Sequence, residues 1–90
     1  MVEKEVLIKS SVGLHARPAA LLVKVAQRFA SDVRLEFGKK AANAKSILAI
    51  LSLAAGQGAT VKIVAAGSDE NMAVDSIVSL IDSNFEEQAP

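Results

Sequence analysis

The chain has ninety residues, and we predict that residues 1–90 form a single small domain in which ten basic and ten acidic residues cancel. The balanced charge, together with three phenylalanines as the only aromatic residues, argues against a basic surface or a stacking platform for nucleic acid. With no cysteine, one histidine, no apolar run of membrane-spanning length and no signal-peptide core, we expect no disulfide, no metal, no cofactor, no membrane insertion and a cytoplasmic location.

The first half of the chain alternates between strand and helix patterns. Apolar residues alternate with charged ones over 2–9, which predicts a first strand. Apolar residues at spacings of three and four then predict a helix from Ala16 to about Arg28. A cleaner alternation over 32–37 predicts the second strand, and the turn at Gly38-Lys39-Lys40 leads into a short strand near 40–43.

The second half repeats the alternation of helix and strand. A helix is predicted from Ser46, a good N-cap, to about Ala54, with Gly56 placed to stop it. A strand over 59–66 follows. The last helix is predicted from about Asp69 to Asn84, where the serine and two acidic residues at 68–70 supply a cap and an acidic first turn.

The resulting order, β-α-β-β-α-β-α, predicts an α+β fold. Three helices are expected on one face of a small four-stranded antiparallel sheet. The polar residues that alternate along each strand would face solvent on the other side of the sheet. Residues 86–90 are expected to form a frayed tail.

The segment 13–20, Gly-Leu-His-Ala-Arg-Pro-Ala-Ala, contains the candidate chemistry. Pro18 is tolerated only in the first turn of a helix, so the helix begins near His15. There the imidazole meets free backbone N–H groups and the positive end of the helix dipole, which disfavours imidazolium and stabilises an attached phosphoryl group. Arg17 adds a charge-assisted hydrogen bond to phosphate oxygens, so the site needs no metal. From spacing alone, a cap or surface histidine without catalytic duty is the alternative.

Two segments resemble those of a known family, and this resemblance favours a catalytic role for His15. Residues 13–19 resemble the active-site signature of HPr, the histidine-containing phosphocarrier family of the bacterial phosphoenolpyruvate:sugar phosphotransferase system. Residues 43–48, Asn-Ala-Lys-Ser-Ile-Leu, followed by Leu51-Ser52-Leu53 and Gly58, resemble the family's regulatory serine segment. The length, the element order and the approach to the last helix at 67–71 agree, so the resemblance covers nearly the whole chain.

The resemblance implies a fold and a carrier function. The fold would be the family's open-faced β-sandwich, with three helices on one side of a four-stranded antiparallel sheet. His15 would accept a phosphoryl group on Nδ1 from phosphorylated enzyme I and pass it to a histidine of an enzyme IIA domain, and Arg17 would stabilise the group during transfer. The protein would be a monomeric phosphotransfer intermediate rather than a free-standing enzyme.

Ser46 is a second candidate site. Its position alone indicates a helix cap. The resemblance adds phosphorylation by an ATP-dependent HPr kinase/phosphorylase, which would slow phosphorylation of His15 and create a surface for a transcriptional co-regulator. A phosphate at a helix N-terminus is compatible with the helix dipole.

A docking surface for partners is the third expectation. The second helix has too many apolar residues for one inward stripe, so we predict that Ile47, Leu48 and Leu51 stay exposed for enzyme I and enzyme IIA, although all three could be core. Leu48 and Leu51 stand where many family members have methionine or phenylalanine. Val12 stands where the family commonly has a polar residue, so no hydrogen-bonding role is assigned to it. The same surface is predicted to include Ala16, Ala20 and Lys24.

Three other functions stay open. A nitrogen-related phosphocarrier would use the same His15 chemistry with different partners, although the sequence around Ser46 favours the sugar system. A purely regulatory module would act through Ser46 alone and would lack the histidine, so His15 and Arg17 argue against it. A structural α+β domain with an incidental histidine would take up no acid-labile phosphate.

Overall fold

The chain folds in the predicted order of strands and helices. The structure is a computed structural model that describes residues 1–11 and 13–85; Val12 and the tail at 86–90 lie outside the described residues. The elements are β1 (Val2–Leu7), α1 (Ala16–Ala26), β2 (Asp32–Phe37), β3 (Lys40–Asn43), α2 (Ile47–Ser52), β4 (Thr60–Ala66) and α3 (Glu70–Asp82).

The four strands form one antiparallel sheet in the order β1-β4-β2-β3. The alternate residues Val33, Leu35, Val61 and Ile63 are buried in the core with the inward faces of the helices. The other face of the sheet includes the predicted polar alternates Arg34, Glu36 and Lys62, together with the buried Val64. The α+β fold with three helices on one sheet face is therefore confirmed.

Where the ends of the elements differ from the predictions, they differ by one or two residues. β1 ends at Leu7, although Ile8 continues its buried side, and α1 ends at Ala26. The prediction that Gly56 stops α2 is wrong. Ala54 already takes the left-handed conformation, with φ of 54°, and a residue in that conformation ends a helix whether or not it is glycine.

The start of α3 is also built differently from the prediction. Asp69 occupies the N-cap position, but its side chain makes no capping hydrogen bond to α3. Its carboxylate accepts hydrogen bonds from the Ser31 hydroxyl and from the backbone N–H groups of Ala30 and Ser31, both at 2.9 Å. The hydrogen bond from the Ser31 hydroxyl, followed by that from the Ala30 N–H, lowers the pKa of Asp69. Asp69 therefore joins α3 to the loop between α1 and β2.

The neighbouring Glu70 turns back toward the chain that precedes α3. Its Oε1 atom accepts a hydrogen bond from the backbone N–H of Gly67 at 3.1 Å, and this bond is the main reason that the pKa of Glu70 is lowered. The acidic first turn of α3 was predicted correctly, but its two carboxylates serve loop contacts.

Candidate functional site

His15 is the N-cap residue of α1. Its backbone is extended, with φ of −88° and ψ of −170°, and its carbonyl oxygen accepts a hydrogen bond from the backbone N–H of Ala19 at 3.0 Å. The side chain is exposed and makes no capping hydrogen bond. The helix therefore fixes the backbone of His15 while the imidazole stays accessible from outside.

The first turn of α1 supplies donors next to this imidazole. The backbone N–H groups of Ala16 and Arg17 lie too near the helix start to have an acceptor within the helix, and Pro18 has no N–H. Pro18 is buried, so its ring packs inward while the two N–H groups remain at the free end of the helix. This arrangement suits an anion bound to or beside His15.

The loop before His15 is held by the segment that follows α2. The backbone N–H of Leu14 donates to the carbonyl oxygen of Ala55 at 2.9 Å, and the Leu14 side chain is buried. Gly13 has a φ of +67° and lies so close to Ala55 that an added Cβ would stand 2.5 Å from the same oxygen. His15 thus follows a closely packed backbone contact rather than a free loop.

His15 and Arg17 line one cleft of about 270 Å³, which we call the His15 cleft. Among the described residues, it is also lined by Ser10, Pro18, Leu21, Asn84 and Phe85. None of these side chains is a carboxylate, and within residues 1–11 and 13–85 the Arg17 guanidinium has no ion-pair partner. The cleft therefore combines a nucleophilic ring with the positive charge of Arg17 beside the free first turn of α1, an arrangement that can hold a phosphoryl group.

Ser46 is the N-cap residue of α2, as predicted. Its Oγ atom accepts a hydrogen bond from the backbone N–H of Ala49 at 3.3 Å, and the side chain is half-buried. The adjacent Lys45 extends its Nζ atom to the carbonyl oxygen of Phe29 at 2.8 Å, beyond the end of α1. The cap is thus observed, whereas phosphorylation of Ser46 stays a prediction.

The predicted exposed residues of α2 are partly found on its outer side. Leu48 is 77% exposed and Ile47 is 38% exposed, while Ile50 is fully buried. Leu51 is half-buried and packs against the core, so only Ile47 and Leu48 form an exposed apolar pair, which we call the α2 patch.

The predicted α1 residues lie on the helix that packs against α2. Ala16, Ala20 and Lys24 are exposed, but none of them lines the His15 cleft, and neither do Ile47 and Leu48. The structure thus gives a cleft at the start of α1 and an exposed patch on α2. A partner-binding role for these residues stays a prediction.

Four residues of the cleft were not singled out from the sequence as site residues. Ser10 lies in the segment after β1, Leu21 lies in α1, and Asn84 and Phe85 follow α3. The only sequence signal was Asn84, because asparagine is favoured where a helix ends in the left-handed conformation. That signal predicts the end of a helix, but it does not say which cleft the residue lines.

Comparison with known proteins identifies the family. Residues 2–83 match the family model described as the PTS HPr component phosphorylation site. The chain belongs to the HPr family. It is 45% identical to the HPr-like protein Crh of Halalkalibacterium halodurans over 82 residues, which cover 91% of this chain and 98% of that HPr relative.

Solved HPr structures agree with the fold. The crystal structure of HPr-C-His from Thermoanaerobacter tengcongensis is 47% identical, with a TM-score of 0.92 over 99% of this chain and 100% of that one. The crystal structure of Crh from Bacillus subtilis, described as a catabolite repression protein, is 41% identical, with a TM-score of 0.76 over 97% of this chain and 100% of that one. That HPr relative forms a domain-swapped dimer, which argues against the prediction that this chain is a monomer.

The sequence predicts no membrane insertion. Among residues 1–11 and 13–85, no helix has both the length and the apolar character needed to cross a bilayer.

Proposed function

We propose that this HPr-family chain is a phosphocarrier of the sugar phosphotransferase system. In the cytoplasm, His15 accepts a phosphoryl group on Nδ1 from phosphorylated enzyme I and passes it to enzyme IIA domains. The observation that carries the proposal is the His15 imidazole at the start of α1. It is exposed, makes no capping hydrogen bond and shares a cleft with Arg17, which has no ion-pair partner among the described residues. Membership of the HPr family supports it.

The proposed transfer begins with the groups at the start of α1. The imidazole lone pair attacks phosphorus while the bond from phosphorus to the donor breaks, and the reverse exchange then delivers the group to the acceptor. The Arg17 guanidinium and the free N–H groups of Ala16 and Arg17 stabilise the phosphoryl oxygens. The helix dipole adds only about 0.3–1 kcal/mol at an exposed site, which is less than the roughly 1.5–3 kcal/mol of a hydrogen bond that involves a charged group.

Incubation with enzyme I and labelled phosphoenolpyruvate tests this proposal. We expect phosphate that is lost in acid and survives in base, as a phosphohistidine is, and we expect His15→Ala to take up none. Arg17→Lys keeps the charge but loses the two-pronged geometry of the guanidinium, so we expect slower transfer with His15 still labelled. Acid-labile labelling of His15→Ala would show that the carrier residue is wrong.

The partner set is tested by a competition. Enzyme I of the sugar system and its nitrogen-related counterpart are offered together to the chain, each with its own donor. We expect the sugar enzyme I to phosphorylate His15 faster. A preference for the nitrogen-related enzyme would place the same chemistry in the other phosphocarrier branch.

A second proposed function is regulation through Ser46. Two observations favour it: the Ser46 side chain is partly accessible at a helix N-cap, and the similar Bacillus subtilis protein is described as a catabolite repression protein. We propose that an HPr kinase/phosphorylase phosphorylates Ser46 and that the product binds a transcriptional co-regulator. Incubation with such a kinase and ATP should give acid-stable phosphate, and Ser46→Ala should give none.

We also propose that this chain self-associates. The swapped dimer of the similar Crh protein supports a dimer of this 9.4 kDa chain at high concentration. Sedimentation equilibrium over a range of concentrations tests it. A monomer mass at every concentration would contradict the proposal.

A further inference from the structure

The residues that follow α3 form a specific helix cap. The backbone N–H of Phe85 donates to the carbonyl oxygen of Leu80 at 2.8 Å, and the N–H of Asn84 donates to that of Ile81 at 3.0 Å. Asn84 and Phe85 both have positive φ angles, of 60° and 63°. This pair of hydrogen bonds, with asparagine in the left-handed conformation, is a Schellman motif. The motif fixes where the chain goes after α3.

The cap brings the end of α3 to the His15 cleft. Phe85 is half-buried and packs against the core, and both Phe85 and Asn84 line the cleft. Lys9 holds this end of α3 from the side of β1, because its Nζ atom donates to the Asp82 carbonyl oxygen at 3.1 Å and to Asp82 Oδ1 at 3.0 Å. The position of Asn84 in the cleft is therefore set by backbone hydrogen bonds and by an ion pair.

The Asn84 side chain has no structural task that would occupy it. It is exposed, and within the described part of the chain its carboxamide makes no hydrogen bond. The NH₂ group of a carboxamide has two donors and no charge. It can therefore donate a hydrogen bond to an anion. A carboxylate at the same position would instead compete with that anion for the Arg17 guanidinium.

We propose that Asn84 is a phosphoryl-binding residue, whose carboxamide N–H donates a hydrogen bond to a phosphoryl oxygen carried on His15. This inference rests on the proposed carrier function. The phosphoryl group is then held from two sides of the cleft, by Arg17 and the first turn of α1 and by Asn84 at the end of α3. Asparagine serves both needs of the position, because it tolerates the left-handed backbone and supplies the donor.

Two variants separate the effect of the Asn84 carboxamide from the effect of its left-handed backbone. Asn84→Gly keeps a residue that adopts the left-handed conformation easily, and it removes the carboxamide. Asn84→Asp keeps the shape of the side chain and replaces the donor by a negative charge. Asn71→Asp is the matched control, since Asn71 is an exposed asparagine in the first turn of α3 that lies outside the cleft. Melting temperatures show that each variant is folded.

The readout is the second ionisation of the phosphoryl group, followed by ³¹P NMR as a function of pH. His15 is phosphorylated chemically with phosphoramidate, which needs no partner protein. A lost donor disfavours the dianion, so Asn84→Gly should raise the pKa of the phosphoryl group by about half a unit to one unit, the size of one charge-assisted hydrogen bond. Asn84→Asp should raise that pKa further, and Asn71→Asp should leave it unchanged.

The outcomes separate the two proposals. Equal phosphoryl pKa values in the parent chain, Asn84→Gly and Asn84→Asp would overturn the role of Asn84 and leave the carrier function standing. Labelling of His15 by phosphoramidate with none from enzyme I would overturn the carrier function, while a pKa raised in both variants would still support the contact to Asn84.

Discussion

The Asp69 carboxylate accepts hydrogen bonds from both the hydroxyl and the backbone N–H of Ser31, a residue that lies 38 positions earlier in the chain. Ser31 is 1% exposed, so its hydroxyl depends on this contact to be satisfied. The residue that the local pattern predicts as a helix cap thus serves a tertiary contact. The contact joins the start of α3 to the turn that leads into β2.

The first prediction concerns Asp69→Asn. The folded-state pKa of Asp69 is lowered, so the ionised carboxylate adds stability that is fully present above the unfolded pKa of about 4 and is lost as the pH falls through the lowered value. We expect a melting temperature several degrees below that of the parent chain at pH 7, and a gap that closes at acid pH. Melts by circular dichroism between pH 7 and pH 2 measure it.

The control for this measurement is Asp75→Asn. Asp75 forms an exposed ion pair with Lys4 at 2.7 Å, and exposed pairs contribute little. A melting temperature of Asp69→Asn no lower than that of Asp75→Asn would show that the contact to Ser31 adds no stability.

The second prediction separates the α2 patch from the core. Leu48 is 77% exposed, whereas Ile50, two residues further along the same helix, is fully buried. Leu48→Glu should leave the melting temperature within a few degrees and weaken binding to enzyme I, as measured by titration calorimetry. Ile50→Ala leaves a cavity and should cost about 2–5 kcal/mol in the free energy of unfolding. A large loss of stability in Leu48→Glu would contradict a docking role.

The sequence predicts the fold well because the alternation of apolar residues in strands and their spacing of three and four in helices are both patterns of neighbouring residues. Val33 and Leu35 alternate with charged residues along β2, and the spacing along α1 follows the helical period. The errors have long-range or conformational causes. No local signal marks Ala54 for the left-handed conformation that ends α2, or pairs Asp69 with Ser31.

Only the local part of the candidate site could be predicted from the sequence. His15 and Arg17 are two positions apart, and Pro18 fixes the helix start, so their proximity follows from the sequence. Asn84 reaches the same cleft only through the packing of α3 and its terminal cap. Such a contribution becomes visible only when the helices have been placed on the sheet.

The third prediction compares two substitutions at Ser46. Ser46→Ala removes the oxygen that accepts the Ala49 N–H and should cost about 0.5–2 kcal/mol in the free energy of unfolding. Ser46→Asp keeps an acceptor at the N-cap and adds a charge that the helix start favours, so its stability should match that of the parent chain. If the added charge repels enzyme I, Ser46→Asp should accept phosphate on His15 more slowly, and Ser46→Ala should not. An unchanged rate in Ser46→Asp would contradict the regulatory proposal.

The fourth prediction tests whether the packed loop before His15 positions the imidazole. Gly13 and Gly38 have similar positive φ angles, of 67° and 60°, so replacement by alanine strains both backbones by a similar amount, about 1–2 kcal/mol. A Cβ at Gly38 would meet nothing within 4 Å, whereas one at Gly13 would stand 2.5 Å from the Ala55 carbonyl oxygen.

Gly13→Ala must therefore move the loop away from Ala55, and the hydrogen bond from Leu14 to that oxygen should weaken. We expect lower stability in urea than for Gly38→Ala, together with slower phosphorylation of His15 under conditions where both variants are folded. If both variants accepted phosphate at the parent rate, the contact to Ala55 would serve stability alone, and His15 would be positioned by α1 without the loop.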